Sequence, residues 1–167
     1  LKKEIPEIRR PLRCEVSPQR ESAPTPTFSL FHSQEQNQAL AKEGYAIFPF
    51  LDEAAIQELQ AFYTQHHPSP PTRFYASAHA EDPVFRKKMN DKIQTVFQPF
   101  LDQHLDQIQA LGGSFIAKPG GGGGILPPHA DWNITEESQF RSFNLWVPLV
   151  DTTPENGAVS ILPYSHD

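Results

Sequence analysis

Cysteine occurs once in the 167 residues, at Cys14, so no internal disulfide framework supports this chain. An unpaired tail position is the plain reading of that thiol. Long apolar runs are missing as well: nothing approaches the roughly 18 residues of a membrane span. No apolar stretch near the start resembles the core of a secretion signal. Basic charge is scarce beyond residue 27, where eight Lys/Arg face 16 Asp/Glu, a balance near −8 within a total of −6. A nucleic-acid surface needs clustered basic charge, so that class is excluded. Five of the nine glycines form one run, Gly120 to Gly124. No Lys-Ser/Thr follows it and no dinucleotide fingerprint fits, so it is no phosphate cradle. It predicts a mobile loop lying as a lip beside a site. These exclusions point to a cytoplasmic protein that acts on a small molecule, with no call on nucleic acid or membrane.

At this length one domain is expected. Residues 1–27 hold five prolines and few periodic apolar positions, which predicts a disordered or extended tail. The acidic residues among its lysines and arginines argue against a transit peptide. The first residue is Leu1, not methionine, so an upstream start is expected. The body, residues 28–167, alternates two kinds of pattern. Gln34 to Glu43 predicts a helix stopped by Gly44, and Tyr45 to Phe50 a short strand. Asp52 is set to cap a second helix with Ile56, Leu59, Phe62 and Tyr63 on one face. His66 and His67 end it, and the helix dipole alone favours histidine there. Across the Pro-rich stretch from Pro68 to Ala80, Arg73 reads as solvated and His79 has no motif partner. Asp82-Pro83 opens the longest helix, with proline in the first turn where its missing N–H costs nothing. Phe85, Met89, Ile93, Val96, Phe97, Phe100 and Leu105 give it an apolar stripe of helical period, which is core packing. Pro99 is expected to kink it, and His104 reads as surface.

From Ser114 the period changes to that of strands. Ser114 to Lys118 is a short strand between glycines. Ile125 to Asp131 is a second, with Pro127 and Pro128 suggesting an edge or irregular start. It ends in His129 and Asp131, two residues apart, which in a strand project to the same side. An imidazole and a carboxylate side by side are two of the three ligands of a 2-His-1-carboxylate site, the pattern of non-haem Fe(II) oxygenases. Ser142 to Val150 shows two faces, Phe143, Leu145, Val147 and Leu149 against Ser142, Asn144, Trp146 and Pro148. If the aliphatic set packs outward on the helices, Asn144 and Trp146 point into the pocket. A core tryptophan satisfied by a local hydrogen bond is the alternative for Trp146. Asn156-Gly157 is the turn into Ala158–Leu162.

Four pieces stand in a recognisable order: HADW (129–132), WVPLVD (146–151), NG (156–157) and PYSH (163–166). The order resembles the phytanoyl-CoA dioxygenase family of Fe(II)- and 2-oxoglutarate-dependent oxygenases, and extends more loosely upstream through EGYAIFPFLDEAAIQEL (43–59). Tyr164 stands where that family usually has glycine. The resemblance implies a mainly β fold with flanking α-helices. Its centre would be a double-stranded β-helix barrel of the jelly-roll or cupin-like kind, with the N-terminal helices packed outside. It implies Fe(II) held by His129, Asp131 and a distal histidine. It also implies 2-oxoglutarate as co-substrate beside Trp146 and Asn144, with ascorbate as accessory reductant. The implied reaction is hydroxylation of an unactivated C–H bond. Halogenases of this kind lack the carboxylate, so the presence of Asp131 favours hydroxylation.

The family's distal histidine and its 2-oxoglutarate-pairing arginine lie downstream of the PYSH turn, and the family uses the His166 position as a turn residue. About five strands are expected here, against about eight in a jelly roll. The expectation is therefore the N-terminal portion of an oxygenase-like domain, binding Fe(II) weakly and turning over little by itself. Two alternatives stand beside it. One is a non-catalytic binding or regulatory remnant of the fold. The other is a cupin-like metal enzyme that does not use 2-oxoglutarate.

Overall fold

The structure is a computed structural model that describes residues 29–119, 126–131, 135–136 and 140–165. The expected tail with Cys14, the glycine run, the first residue of the 125–131 strand, Trp132 and His166 lie outside the described residues.

Three helices form where caps and periodicity coincide. Helix α1, Gln34–Glu43, begins at Ser33, whose side chain accepts from the Gln36 amide, and stops at Gly44 with φ 83°. That left-handed conformation is the one glycine adopts without strain. Helix α2, Glu53–His66, is capped by Asp52, which accepts from Ala55 N at 2.8 Å. Helix α3, Pro83–His104, is capped by Asp82 through Val84 N at 2.8 Å and runs through Pro99 as one element.

Helices α2 and α3 pack face to face, and the shared core is Ala55, Leu59, Met89, Ile93, Val96 and Phe115. Phe62, Tyr63, Phe85, Phe97, Phe100 and Leu149 close around it. The stripe on α3 is therefore core, as its period requires. A buried leucine or methionine side chain removed from water is worth about 1.5–3 kcal/mol, so these few contacts outweigh any single surface ion pair.

Strand β1, Tyr75–Ala76, pairs antiparallel with β2, Ile116–Ala117, with Tyr75 opposite Ala117. The second of these lies inside the predicted 114–118 strand; the first was not anticipated in the Pro-rich stretch. A tight 3-10 turn, Ser77–His79, follows β1. Ser77 is fully buried and bonds Phe115 twice: its amide donates to Phe115 O and its Oγ accepts from Phe115 N, both at 2.9 Å. Gly113 is needed just upstream, because a Cβ there would stand 2.6 Å from Ile93 Cγ2.

A strap from the N-terminal side closes the far end of α3. Phe31 bridges Leu105, His32 N donates to His104 O, and Asp106 N donates to Leu30 O. Asn37 holds the strap in shape by accepting from Leu30 N and Phe31 N and donating to Phe31 O. The segments predicted as strands at 45–50, 125–131, 142–150 and 158–162 have no partner strand among the described residues. From Trp146 to Val150, however, exposed and half-buried positions alternate, and Leu149 turns inward to the helical core. No helix among the described residues is long and apolar enough to cross a membrane.

Candidate metal-binding site

Two tethers bring the C-terminal segment to the helical body. Gln60 on α2 donates its side-chain amide to Leu149 O. Tyr164 N donates to Glu43 O at the end of α1, at 3.1 Å. Within the segment, the Thr153 carbonyl accepts from Asn156, Gly157 and Ala158, and Gly157 takes φ 103°. The Asn-Gly pair thus makes a turn, as its chemistry predicts. Lys118, just past β2, donates to the Gly157 carbonyl at 3.2 Å.

The Tyr164 backbone takes φ 63°. The turn keeps the left-handed shape that glycine would adopt, although tyrosine occupies it. Bulky side chains rarely accept that conformation; here the ring is mostly exposed, so no neighbouring side chain adds a clash that would force the turn to open.

The tethered segment places Asn144 against Asp131. Asn144 Nδ2 donates to Asp131 Oδ2 at 2.7 Å, while Asp131 Oδ1 stands 3.3 Å from His129 Nε2. The other ring nitrogen of His129, Nδ1, lies 2.7 Å from Pro127 O. A carbonyl can only accept, so Nδ1 carries the proton in that bond. In the neutral ring Nε2 then presents a lone pair toward a carboxylate oxygen. Two lone pairs facing each other need a proton or a cation between them. Metal-binding histidines commonly donate their second nitrogen to a carbonyl in this way.

The spacing fits a cation. Two donors, each about 2.1 Å from a shared ion and at right angles, stand about 3 Å apart. A stabilising ion pair explains the arrangement less well. The two side chains are 51% and 61% exposed, and such pairs contribute only about 0–1 kcal/mol. Imidazole, carboxylate and open neighbouring positions make up a donor set suited to Fe(II). Among the described residues no third His, Cys, Asp or Glu joins the pair.

The other candidates separate cleanly. His66 and His67 turn their Nδ1 atoms onto the carbonyls of Phe62 and Tyr63, four residues back, at 2.8 and 2.9 Å. They finish the helix end, as the dipole argument expects. His79 and Arg73 are exposed, and His79 forms no metal-ligating group with the His129–Asp131 pair. His104, expected on the surface, is half-buried, with its ring 5.2 Å from that of Phe48 and 6.1 Å from that of Phe50. These two rings, from the segment between α1 and α2, are what cover it. Trp146 is 44% exposed. Trp132 and His166 lie outside the described residues.

Sequence reasoning passed over Gln60 and the Pro127 carbonyl. A glutamine on the polar flank of an amphipathic helix carries no signal of its long-range bond. The two prolines before His129 did carry one, since a stretch without N–H donors pairs poorly in a ladder and leaves its carbonyls to accept from side chains.

The family model for phytanoyl-CoA dioxygenase (PhyH) matches residues 29–167, and the chain belongs to that family. The family takes its description from a dioxygenase. A relative from Caenorhabditis briggsae, described as phytanoyl-CoA dioxygenase domain-containing protein 1 homolog, is 30% identical over 90 residues. That match covers 53% of this chain and 30% of the relative, so the chain spans about a third of the relative's length. No solved structure matches the chain.

Proposed function

We propose that this chain carries ligands for an Fe(II)- and 2-oxoglutarate-dependent hydroxylase acting on a C–H bond of a small molecule. The observation that carries the reading is the convergence of His129 Nε2 and Asp131 Oδ1 at 3.3 Å, with Nδ1 already committed to a carbonyl. Family membership supports the reaction type. The same reading includes a double-stranded β-helix barrel with the described helices packed outside it.

In this reading His129 Nε2 and Asp131 Oδ1 hold the metal, which would supply oxygen activation once 2-oxoglutarate is bound. The Pro127 carbonyl fixes the tautomer of His129, so the ring does not turn its protonated nitrogen inward. Asp131 brings one negative charge, which lowers the net charge of a divalent site and favours binding of the cation. Trp146, exposed and two residues along from Asn144, offers a flat apolar wall for the co-substrate or substrate.

The test is metal binding by the 167-residue chain, with Mn(II) as an air-stable probe for Fe(II), in parent, His129→Ala and Asp131→Ala forms. Two protein ligands predict weak binding that both substitutions abolish. Consumption of 2-oxoglutarate in the presence of Fe(II) is then measured, and slow or absent turnover by this chain is expected. Mn(II) affinity unchanged by both substitutions would sink the proposal. It would leave the non-catalytic binding module as the better reading.

A further inference from the structure

Asp131 has two oxygens, and the structure gives them different partners. Oδ2 accepts from the Asn144 amide at 2.7 Å, and Oδ1 faces His129 Nε2 at 3.3 Å. Resting on the metal-site reading above, we propose that Asn144 is a positioning residue that makes Asp131 a one-oxygen ligand.

The physical reason is the rotation of a carboxylate. An aspartate held only by its backbone turns freely about its terminal torsion, which is broad and roughly two-fold. It can then offer either oxygen, or both, to a cation. An amide N–H is a hydrogen-bond donor with no affinity for a cation. Placed on Oδ2, it removes that oxygen from the metal side and fixes the plane of the carboxylate. Oδ1 is left pointing at the position shared with His129. Single-oxygen binding keeps one more coordination position open, which a site that must also take a co-substrate and oxygen requires.

The neighbours leave Asn144 free for this task. Leu149 provides the inward packing of the segment, while Asn144 itself is exposed. Its bond reaches across 13 residues of sequence to Asp131. Replacing it therefore removes little buried surface. Hydrogen bonds to the ligands of a metal are typically worth about 10–100-fold in affinity.

The experiment compares parent chain, Asn144→Leu and Asn144→Gln with His129→Ala and Asp131→Ala. Asn144→Leu keeps the shape and deletes the donor; Asn144→Gln restores an amide on a longer arm. Mn(II) affinity is read by loss of the free-ion electron paramagnetic resonance signal, and Co(II) is added separately for its visible absorption. Asn144→Leu is expected to bind Mn(II) about 10–100-fold more weakly. Its Co(II) band should change shape as the second carboxylate oxygen enters, with the unfolding temperature unchanged. Asn144→Gln is expected to recover part of the affinity.

The outcomes separate the two ideas. Loss of binding in His129→Ala and Asp131→Ala, with parent affinity and spectrum in Asn144→Leu, overturns the role of Asn144 alone. Parent-like or undetectable binding throughout overturns the metal site, and the role of Asn144 falls with it.

Discussion

Ser77 is the residue whose removal tests the packing argument most sharply. It is 1% exposed, the only buried polar residue among those described, and its Oγ accepts the amide proton of Phe115. Phe115 is itself core, 5% exposed. In Ser77→Ala the Phe115 N–H loses its acceptor in a place water does not reach. A buried donor left unpaired costs about 1–3 kcal/mol. The backbone bond from Ser77 N to Phe115 O survives, so the strand pair is weakened without being lost. Ser165 supplies the control. Its Oγ donates to Leu162 O at 2.8 Å at an exposed position, where water replaces it, so Ser165→Ala should cost less than about 1 kcal/mol. For a domain of this size, one kcal/mol moves the unfolding temperature by about 2–4 °C. Thermal unfolding followed by circular dichroism should therefore show Ser77→Ala lower by about 2–12 °C and Ser165→Ala nearly unchanged. Equal losses in the two variants, or none in Ser77→Ala, would refute the reasoning.

Three further outcomes are expected. Tyr164→Gly relieves a left-handed backbone that costs a non-glycine residue about 1–2 kcal/mol and gives back about 0.5–1 kcal/mol in chain entropy. A small gain in unfolding temperature follows, and a clear loss would contradict the strain. Tyr63 has a buried hydroxyl with no hydrogen-bond partner among the described residues, so Tyr63→Phe should stabilise by about 1 kcal/mol. Burial also pushes the Tyr63 phenol above its usual range, and burial together with Tyr63 does the same to Tyr75. Their native pKa values are raised, so stability is complete below the ordinary tyrosine range and falls as pH rises through the raised values. Tyr63→Phe should shrink that alkaline loss and remove one late phenolate from the ultraviolet titration. The Asp91 carboxyl is held below its usual range, first by the hydrogen bond from Lys87 at 2.5 Å. That contribution to α3 is present above the ordinary carboxylate value and lost as pH falls through the lowered one. Lys87→Gln should raise the Asp91 midpoint in an NMR titration.

Local elements were legible because their causes are local. Ser33, Asp52 and Asp82 cap the helices within three residues of their own positions, and Gly44 ends α1 through its own φ. The α3 stripe announced the core because a 3.6-residue period puts Met89, Ile93 and Val96 on one side. Strand β1 was hidden for the opposite reason: two residues after a proline-rich stretch have no period, and only pairing with Ile116–Ala117 across the chain makes them a strand. His104 looked like a surface residue for the same reason, since the Phe48 and Phe50 rings against it come from another segment.

The candidate site divides along the same line. The sequence by itself determined the pairing of His129 with Asp131, because a two-residue spacing needs nothing but the chain's own geometry. It also placed them in an ordered set of motifs that the family match bears out as phytanoyl-CoA dioxygenase. It put Asn144 on the same face as Trp146, toward a pocket, without naming the side chain that Asn144 meets. That Asn144 bonds Asp131 Oδ2 and that Gln60 tethers Leu149 were decided by tertiary structure, and that Pro127 O accepts from His129 Nδ1 by the shape of the local backbone. Each depends on an oriented side chain meeting a partner, most of them distant in sequence, and no pattern of residue types records where such partners meet.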